Sequence, residues 1–225
     1  MSALAVLRQD ILTNAAREAL AKGRKRKFVQ SVDLIIILKD IDLNKPENRI
    51  NLNLPLPHPP KPNKIAAFVS GAFEGAAKNA GVDATIPRDQ IEAMAGNKKA
   101  IRKLAKKHDY FVAPPDLMPL IGRALGSILG PRGKMPEVVP PNVDVKSVVD
   151  RLRRSIRLRL RSEPAIKVRV GSEAQRPEEI AANILAVLEE IGAKFPLRQH
   201  VARVYIKKTM GPLVSLKPEE LFAAR

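Results

Sequence analysis

Two glycine-rich stretches have residue types that could hold a phosphate group, and both fail the spacing that this chemistry requires. In LGPRGKMP, Gly133 and Lys134 match the end of a nucleoside triphosphate-binding loop. However, the glycine expected five residues earlier is Ile128, and Met135 stands where a Ser or Thr would bind magnesium. In VSGAFEG, Phe73 occupies the position of the second glycine of a dinucleotide-binding loop. Neither motif supports a nucleotide-dependent enzyme.

The histidines, cysteines and carboxylates show no pattern typical of a catalytic or metal centre. His58, His108 and His200 are far apart, and the chain contains no cysteine. A zinc site, a thiol nucleophile and a disulfide framework are therefore not expected, and no nucleophile-elbow motif is present. Most carboxylates lie in the predicted first turns of helices or on solvated faces. We expect no catalytic residue, no metal ligand and no cofactor.

The net charge indicates a polyanionic partner instead. Lys and Arg number 40 against 23 Asp and Glu, which gives a formal charge of +17 and an isoelectric point near 10.4. Nucleic acid is the leading candidate for that partner. The chain has no apolar run of about 18 residues and no signal-peptide core. We therefore expect a cytoplasmic protein that does not bind a membrane.

Three basic strips could receive such a ligand. GRKRKF places four cations directly before Phe28, which either covers a base or belongs to the core. IRLRLRSEP alternates arginine with aliphatic residues, which predicts a half-buried strand with a cationic outer face. AIKVRV adds a third strip of cations on a strand. General solubility is the alternative explanation for each strip.

The stretch YIKKTMGPLVSL combines cations with a sharp break. After Lys207 and Lys208, Thr209 could donate a hydroxyl hydrogen bond, Met210 offers a flexible apolar surface, and Gly211 permits close approach of a ligand. A core methionine and a turn glycine are the alternative interpretation. Together with the two lysines, the pattern suggests an RNA contact.

Apolar periodicity predicts the elements that position these strips. The stretch from Ala3 to Gly23 has helical spacing that includes Leu4 and Leu7. The apolar run in VDLIIILKDIDL is too continuous for a half-exposed strand and predicts a buried one. The proline-rich stretch 53–64 predicts a linker.

Beyond the linker, short apolar strands alternate with helices, which is typical of a small parallel sheet covered by helices. GPRGKMPEVVPPN predicts a rigid turn region, and RPEEIAANILAVLEEIG a helix with Pro177 at its first position. We predict an α/β chain in which 1–63 and 156–225 form one α+β domain. Residues 64–155 form an inserted Rossmann-like α/β domain.

Three segments together resemble the L-one family of universal large-subunit ribosomal proteins, in its archaeal form. They are KFVQSVDLIIILKDIDLNKPENRI, HDYFVAPPDLMPLIGRALGSILGPRGKMP and YIKKTMGPLVSL, and the resemblance spans nearly the whole chain. It implies a non-enzymatic protein, monomeric when free, that binds large-subunit ribosomal RNA at the mobile side stalk. It further implies contact with transfer RNA leaving the exit site and, in many members, repression of translation through the protein's own messenger RNA.

The resemblance also assigns residues. Its RNA-binding face would contain Lys27, Phe28, Ser31, Lys167, Arg169, Gly171, Lys207, Lys208, Thr209, Met210 and Gly211. Near the hinge, or at a second RNA contact, it places Gly130, Arg132, Gly133 and Lys134. Two other classes stay open on the residues alone: a nucleotide-dependent α/β enzyme and a DNA-compacting basic protein.

Overall fold

The computed structural model describes residues 8–71, 73–140 and 142–221, which form two compact units. The first unit joins the chain up to Lys61 with the chain from Ser155 onward, and the second is Pro62–Arg154. The mixed α/β fold class is confirmed. The division into domains 1–63 with 156–225 and 64–155, each folding by itself, stays a prediction.

The described residues form nine α-helices and ten strands, numbered in chain order. The helices are α1 (Gln9–Ala21), α2 (Phe73–Asn79), α3 (Arg88–Met94), α4 (Lys98–Lys107), α5 (Met118–Leu129), α6 (Val145–Arg154), α7 (Pro177–Lys194), α8 (Leu197–His200) and α9 (Pro218–Leu221). The strands are β1 (Ser31–Leu38), β2 (Ile50–Pro55), β3 (Ile65–Val69), β4 (Ala84–Pro87), β5 (Tyr110–Ala113), β6 (Glu137–Val138), β7 (Ser155–Leu160), β8 (Ala165–Ser172), β9 (Val201–Lys208) and β10 (Val214–Leu216). Among the described helices, none combines the length and apolar character needed to cross a membrane. The predicted residues Leu4 and Leu7 of the first helix lie outside the described residues.

The first unit is built on a four-stranded sheet in the order β10-β9-β1-β8, in which β1 pairs antiparallel with both neighbours. Helices α1 and α7 share the hydrophobic core with one face of this sheet. The prediction of a fully buried strand is wrong for β1. Val32, Leu34 and Ile36 are buried, whereas Ile35 and Ile37 alternate with them and are partly exposed. The reason is that the core lies on one side of β1.

The linker prediction is wrong for the first part of the proline-rich stretch. Strand β2 continues to Pro55 and pairs with β7 in a separate two-stranded sheet, where a terminal proline is tolerated. Leu56 is buried. The buried side chain of Asn183 on α7 then holds His58, accepting its backbone N–H at 2.9 Å and donating to its carbonyl. Asn183 also donates to the Val170 carbonyl at 2.7 Å, which fixes this stretch against β8.

The second unit contains a parallel sheet in the order β4-β3-β5-β6. Strand β3 is buried on both faces: Phe68 packs in the core formed with α3, α4 and α5, and Ala67 in the core formed with α2 and α6. Phe68 and Phe111 stack with their ring centroids 5.6 Å apart. Strand β6 lies in the segment that was predicted to be a rigid turn. The sequence did not indicate this strand, because two residues are too few to produce a periodic pattern.

A cavity of about 600 Å³ lies at the carboxyl ends of β3, β5 and β6, where open parallel sheets commonly bind ligands. Its described lining includes Ser70, Phe73, Asp116 and Asp144 but no Lys or Arg. The Asp144 carboxylate accepts two backbone N–H bonds and caps α6. Since the described lining offers carboxylates and no cation, it does not suit the phosphate groups of a nucleotide.

Candidate nucleic-acid interface

The predicted contact residues come together at one end of the four-stranded sheet. Strand β1 begins at the end of the sheet where β8 and β9 finish. The register shows this, with Ser31 opposite Ser172 and Val32 opposite Lys208. The loop 22–30 and the turn 209–213 therefore lie at the same end of the sheet. We call this region the end surface.

Gln30 organises the end surface, although nothing in its sequence context identified it. Its side chain is 1% exposed. Its Oε1 accepts the backbone N–H of Met210 at 3.2 Å, and its Nε2 donates to a Glu173 carboxylate oxygen at 3.2 Å. The Gln30 backbone carbonyl also accepts the Glu173 N–H at 2.9 Å. One buried amide thus connects the loop, the turn and the segment after β8.

Two further contacts fix the turn. Thr209 donates both its backbone N–H (3.0 Å) and its hydroxyl (3.2 Å) to the Ser31 carbonyl. The hydroxyl that was expected to donate to a ligand is therefore engaged within the protein. Gly23 has φ +92°, and a Cβ added there would lie 3.2 Å from both Gly211 Cα and Pro212 Cδ. Glycine lets the loop and the turn approach closely in a backbone conformation that other residues rarely adopt.

The end surface exposes a group of large apolar side chains. Phe28 is 54% exposed and Met210 is 57% exposed, with Val29 and Leu213 similarly open. The core interpretations of Phe28 and Met210 are therefore wrong. Exposed apolar side chains held on a firmly bonded turn are suited to packing against bases and sugars.

Basic side chains border this apolar group. Arg24, Lys25, Arg26 and Lys27 are all exposed in the loop between α1 and β1. Within the described part of the chain none of the four forms an ion pair. Their charges are thus available to a polyanion, as the sequence predicted for a helix-to-strand junction.

A charged row crosses the open face of the sheet beside the end surface. Asp33 on β1 lies opposite Arg169 on β8 and Lys207 on β9, and all three are partly exposed. Burial raises the pKa of the Asp33 carboxyl, although the charges of Lys207 and Arg169 act in the opposite direction. The next row contains Lys167, which pairs with Glu163 at 2.9 Å.

The raised pKa of Asp33 predicts the effect of its removal on stability. When the folded pKa of an acid exceeds its unfolded value, the ionised form destabilises the fold above the folded pKa, and protonation removes this effect. We therefore expect Asp33→Asn to increase the free energy of unfolding at pH 7 and to have no such effect well below pH 3.8, the ordinary pKa. Urea unfolding at both pH values measures it. An equal gain at both would contradict the electrostatic explanation.

Two of the predicted contact residues have structural roles instead. Lys208 is 5% exposed, and its Nζ donates to the Leu20 carbonyl at 2.8 Å, where it satisfies the C-terminal end of α1. Gly171 is buried, and a Cβ there would lie 2.8 Å from Ile180 Cγ1 on α7. Strand alternation explains Lys208, because it shares the buried face of β9 with Ile206. We correct both assignments.

The motif 130–134 lies in the second unit, and most of it shapes a turn after α5. Gly133 has φ +69° and its N–H bonds to the Gly130 carbonyl at 2.8 Å. Lys134 Nζ donates to the carbonyls of Ala105 and His108 at the end of α4. Burial lowers the pKa of Lys134. Of the four matched residues, Arg132 presents an exposed cation.

Comparison with known proteins identifies the family of this chain. The model of the Ribosomal protein L1p/L10e family matches residues 20–212. The protein named Large ribosomal subunit protein uL1 from Pyrobaculum islandicum is 65% identical over 217 residues, which are 96% of this chain and 98% of that protein. The uL1 proteins of Thermofilum pendens and Archaeoglobus fulgidus are 46% and 41% identical, over 97% and 93% of this chain and 98% of each relative. This chain is a member of the Ribosomal protein L1p/L10e family.

Proposed function

We propose that the chain binds large-subunit ribosomal RNA at the side stalk, as a ribosome-associated protein, through the end surface of its first unit. The observation that carries the proposal is the convergence of exposed Phe28 and Met210 with the unpaired cations of residues 24–27 on one hydrogen-bonded scaffold. The cations neutralise phosphates, while the apolar side chains match the shape of a folded RNA. The names of the relatives support a place in the large ribosomal subunit.

Two finer roles follow from the same assignment. A protein at the side stalk would contact transfer RNA as it leaves the exit site. A messenger RNA that presents the same folded shape would occupy the same end surface, so the chain would repress its own translation. Both roles require recognition of RNA and no chemical step.

The direct test is the affinity for a side-stalk ribosomal RNA fragment across a salt series, with duplex DNA as competitor. For Z phosphate contacts, the slope of log affinity against log salt should be about −0.7Z to −0.9Z. We expect Met210→Ala to weaken binding without changing this slope, because the lost contact is apolar. Val143→Ala is the control, since Val143 is also an exposed apolar residue but lies in the second unit, outside the stretch 130–135. Weak binding that DNA abolishes would instead indicate a general polycation.

A further inference from the structure

Helix α4 of the second unit carries a concentration of positive charge that the end surface does not use. Between Lys98 and Lys107 the chain has six cations and no acid. Ile101 and Ala105 anchor the helix in the core. The six cations are all exposed, and in the described part of the chain none forms an ion pair: Lys98, Lys99, Arg102, Lys103, Lys106 and Lys107.

This arrangement opposes the stability of the helix itself. Residues four apart on a helix are neighbours, and like charges there are destabilising by about 0.2–0.5 kcal/mol a pair. Helix α4 has four such pairs: 98 with 102, 99 with 103, 102 with 106, and 103 with 107. The helix dipole disfavours Lys98 and Lys99 in the first turn but favours Lys106 and Lys107 in the last, so the opposition comes from the like-charge pairs.

Other helices of the chain use the same spacing for attraction. Glu18 pairs with Lys22, Glu74 with Lys78, and Arg88 with Glu92, each four residues apart at the surface. Solubility alone would be served by such mixed pairs. The repulsion along α4 is therefore better explained by a polyanionic ligand that relieves it.

We propose that the exposed face of α4 is a second RNA-binding surface, which contacts the sugar-phosphate backbone without reading sequence. Five of its six cations are lysines, which act as point charges toward phosphate, whereas bidentate reading of bases favours arginine. The helix is about 15 Å long and presents its cations along one side. Arg132 adds an exposed cation close enough to influence the pKa of Lys134, which bonds to the C-terminal end of α4.

The chemistry of this face favours RNA over a membrane or a protein. None of the large apolar side chains that are exposed in the described residues belongs to α4. A membrane-surface helix needs an apolar face to insert, and here that face is in the core. Protein interfaces are depleted in lysine and rely on aromatic anchors.

The α4 proposal rests on the proposed function in one respect, which is that RNA is the ligand. The test therefore measures RNA binding at α4 separately from RNA binding at the end surface. The full chain is first saturated with an unlabelled side-stalk RNA fragment, and binding of a labelled RNA duplex to this complex is then measured across a salt series. We expect the triple variant Lys99→Gln, Lys103→Gln, Lys106→Gln to weaken duplex binding. It should also make the salt slope shallower by about 2–3, since each phosphate contact contributes about 0.7–0.9. Affinity for the side-stalk fragment should stay unchanged.

Two further variants keep the outcome decisive. The matched control Arg123→Gln, Lys146→Gln, Arg154→Gln removes the same charge from exposed positions of other helices in the second unit. Exchange of Lys103 and Lys106 for arginine preserves charge and should preserve duplex binding. Because glutamine removes like-charge repulsion, the α4 variant should melt no lower than the wild type. Equal losses in the α4 variant and the control, or no saturable binding of duplex to the complex, would overturn the proposal. Failure of the wild-type protein to bind the side-stalk fragment would count against the proposed function instead.

Discussion

Replacing Phe28 with alanine is expected to lower the affinity for a side-stalk ribosomal RNA fragment by about 1–3 kcal/mol, roughly 5- to 150-fold. The side chain is 54% exposed and is not part of the hydrophobic core, so its removal should leave the free energy of unfolding nearly unchanged. The contact is apolar, and therefore the salt slope should not change. Equilibrium binding and urea unfolding of the same preparation measure both quantities.

Phe28→Leu separates stacking from simple apolar contact. Leucine keeps much of the apolar area but lacks an aromatic face, so an affinity between those of the wild type and Phe28→Ala indicates stacking on a base. An unchanged affinity in Phe28→Ala would remove this residue from the interface. A parallel loss of folding stability would show that Phe28 contributes to the core despite its exposure.

The family was predictable because it depends on short, distinctive sequence strings. The strings GPRGKMP and TMGP identified the family, and the match over residues 20–212 confirms it. The mixed α/β fold was predictable because apolar periodicity differs between the chain ends and the middle. Elements with weak periodicity were not: β6 has two residues, and β2 ends in a proline-rich stretch.

The one-sided burial of β1 illustrates a signal that was present but outweighed. Ser31 and Asp33 alternate with Val32 and Leu34, which is typical of a half-exposed strand. The following isoleucines extend the apolar run and hide this alternation. Asp33 was the informative residue, because an unpaired carboxylate is rarely fully buried in a strand.

The organisation of the end surface depends on contacts between residues far apart in sequence. Gln30 reaches Met210 across 180 positions and Glu173 across 143, and no local pattern specifies either bond. Lys208 was misassigned for a related reason. Two adjacent lysines on a strand point to opposite faces, so Lys207 lies in the charged row while Lys208 turns toward α1.

The substitution Gly171→Ala is expected to reduce folding stability substantially. It tests whether Gly171 serves packing or RNA binding. A Cβ at this position would lie 2.8 Å from Ile180 Cγ1 and 3.2 Å from Gln175 Oε1. Ile180 is fully buried, and its γ carbon has little freedom to move away. Overpacking of this kind costs about 1–3 kcal/mol. We therefore expect Gly171→Ala to lower the free energy of unfolding by that amount in urea denaturation.

A second substitution tests whether Ile180 is the residue that a Cβ at position 171 would contact too closely. Ile180→Ala deletes the γ carbon and is itself destabilising, but the double variant with Gly171→Ala should be less destabilised than the sum of the single changes, by about 0.5–3 kcal/mol. Because Gly171 packs against α7, the folded Gly171→Ala protein should bind the side-stalk RNA fragment with wild-type affinity. A large loss of affinity with unchanged stability would return Gly171 to the RNA-binding face. Additive stability effects would show that the two residues do not compete for the same space.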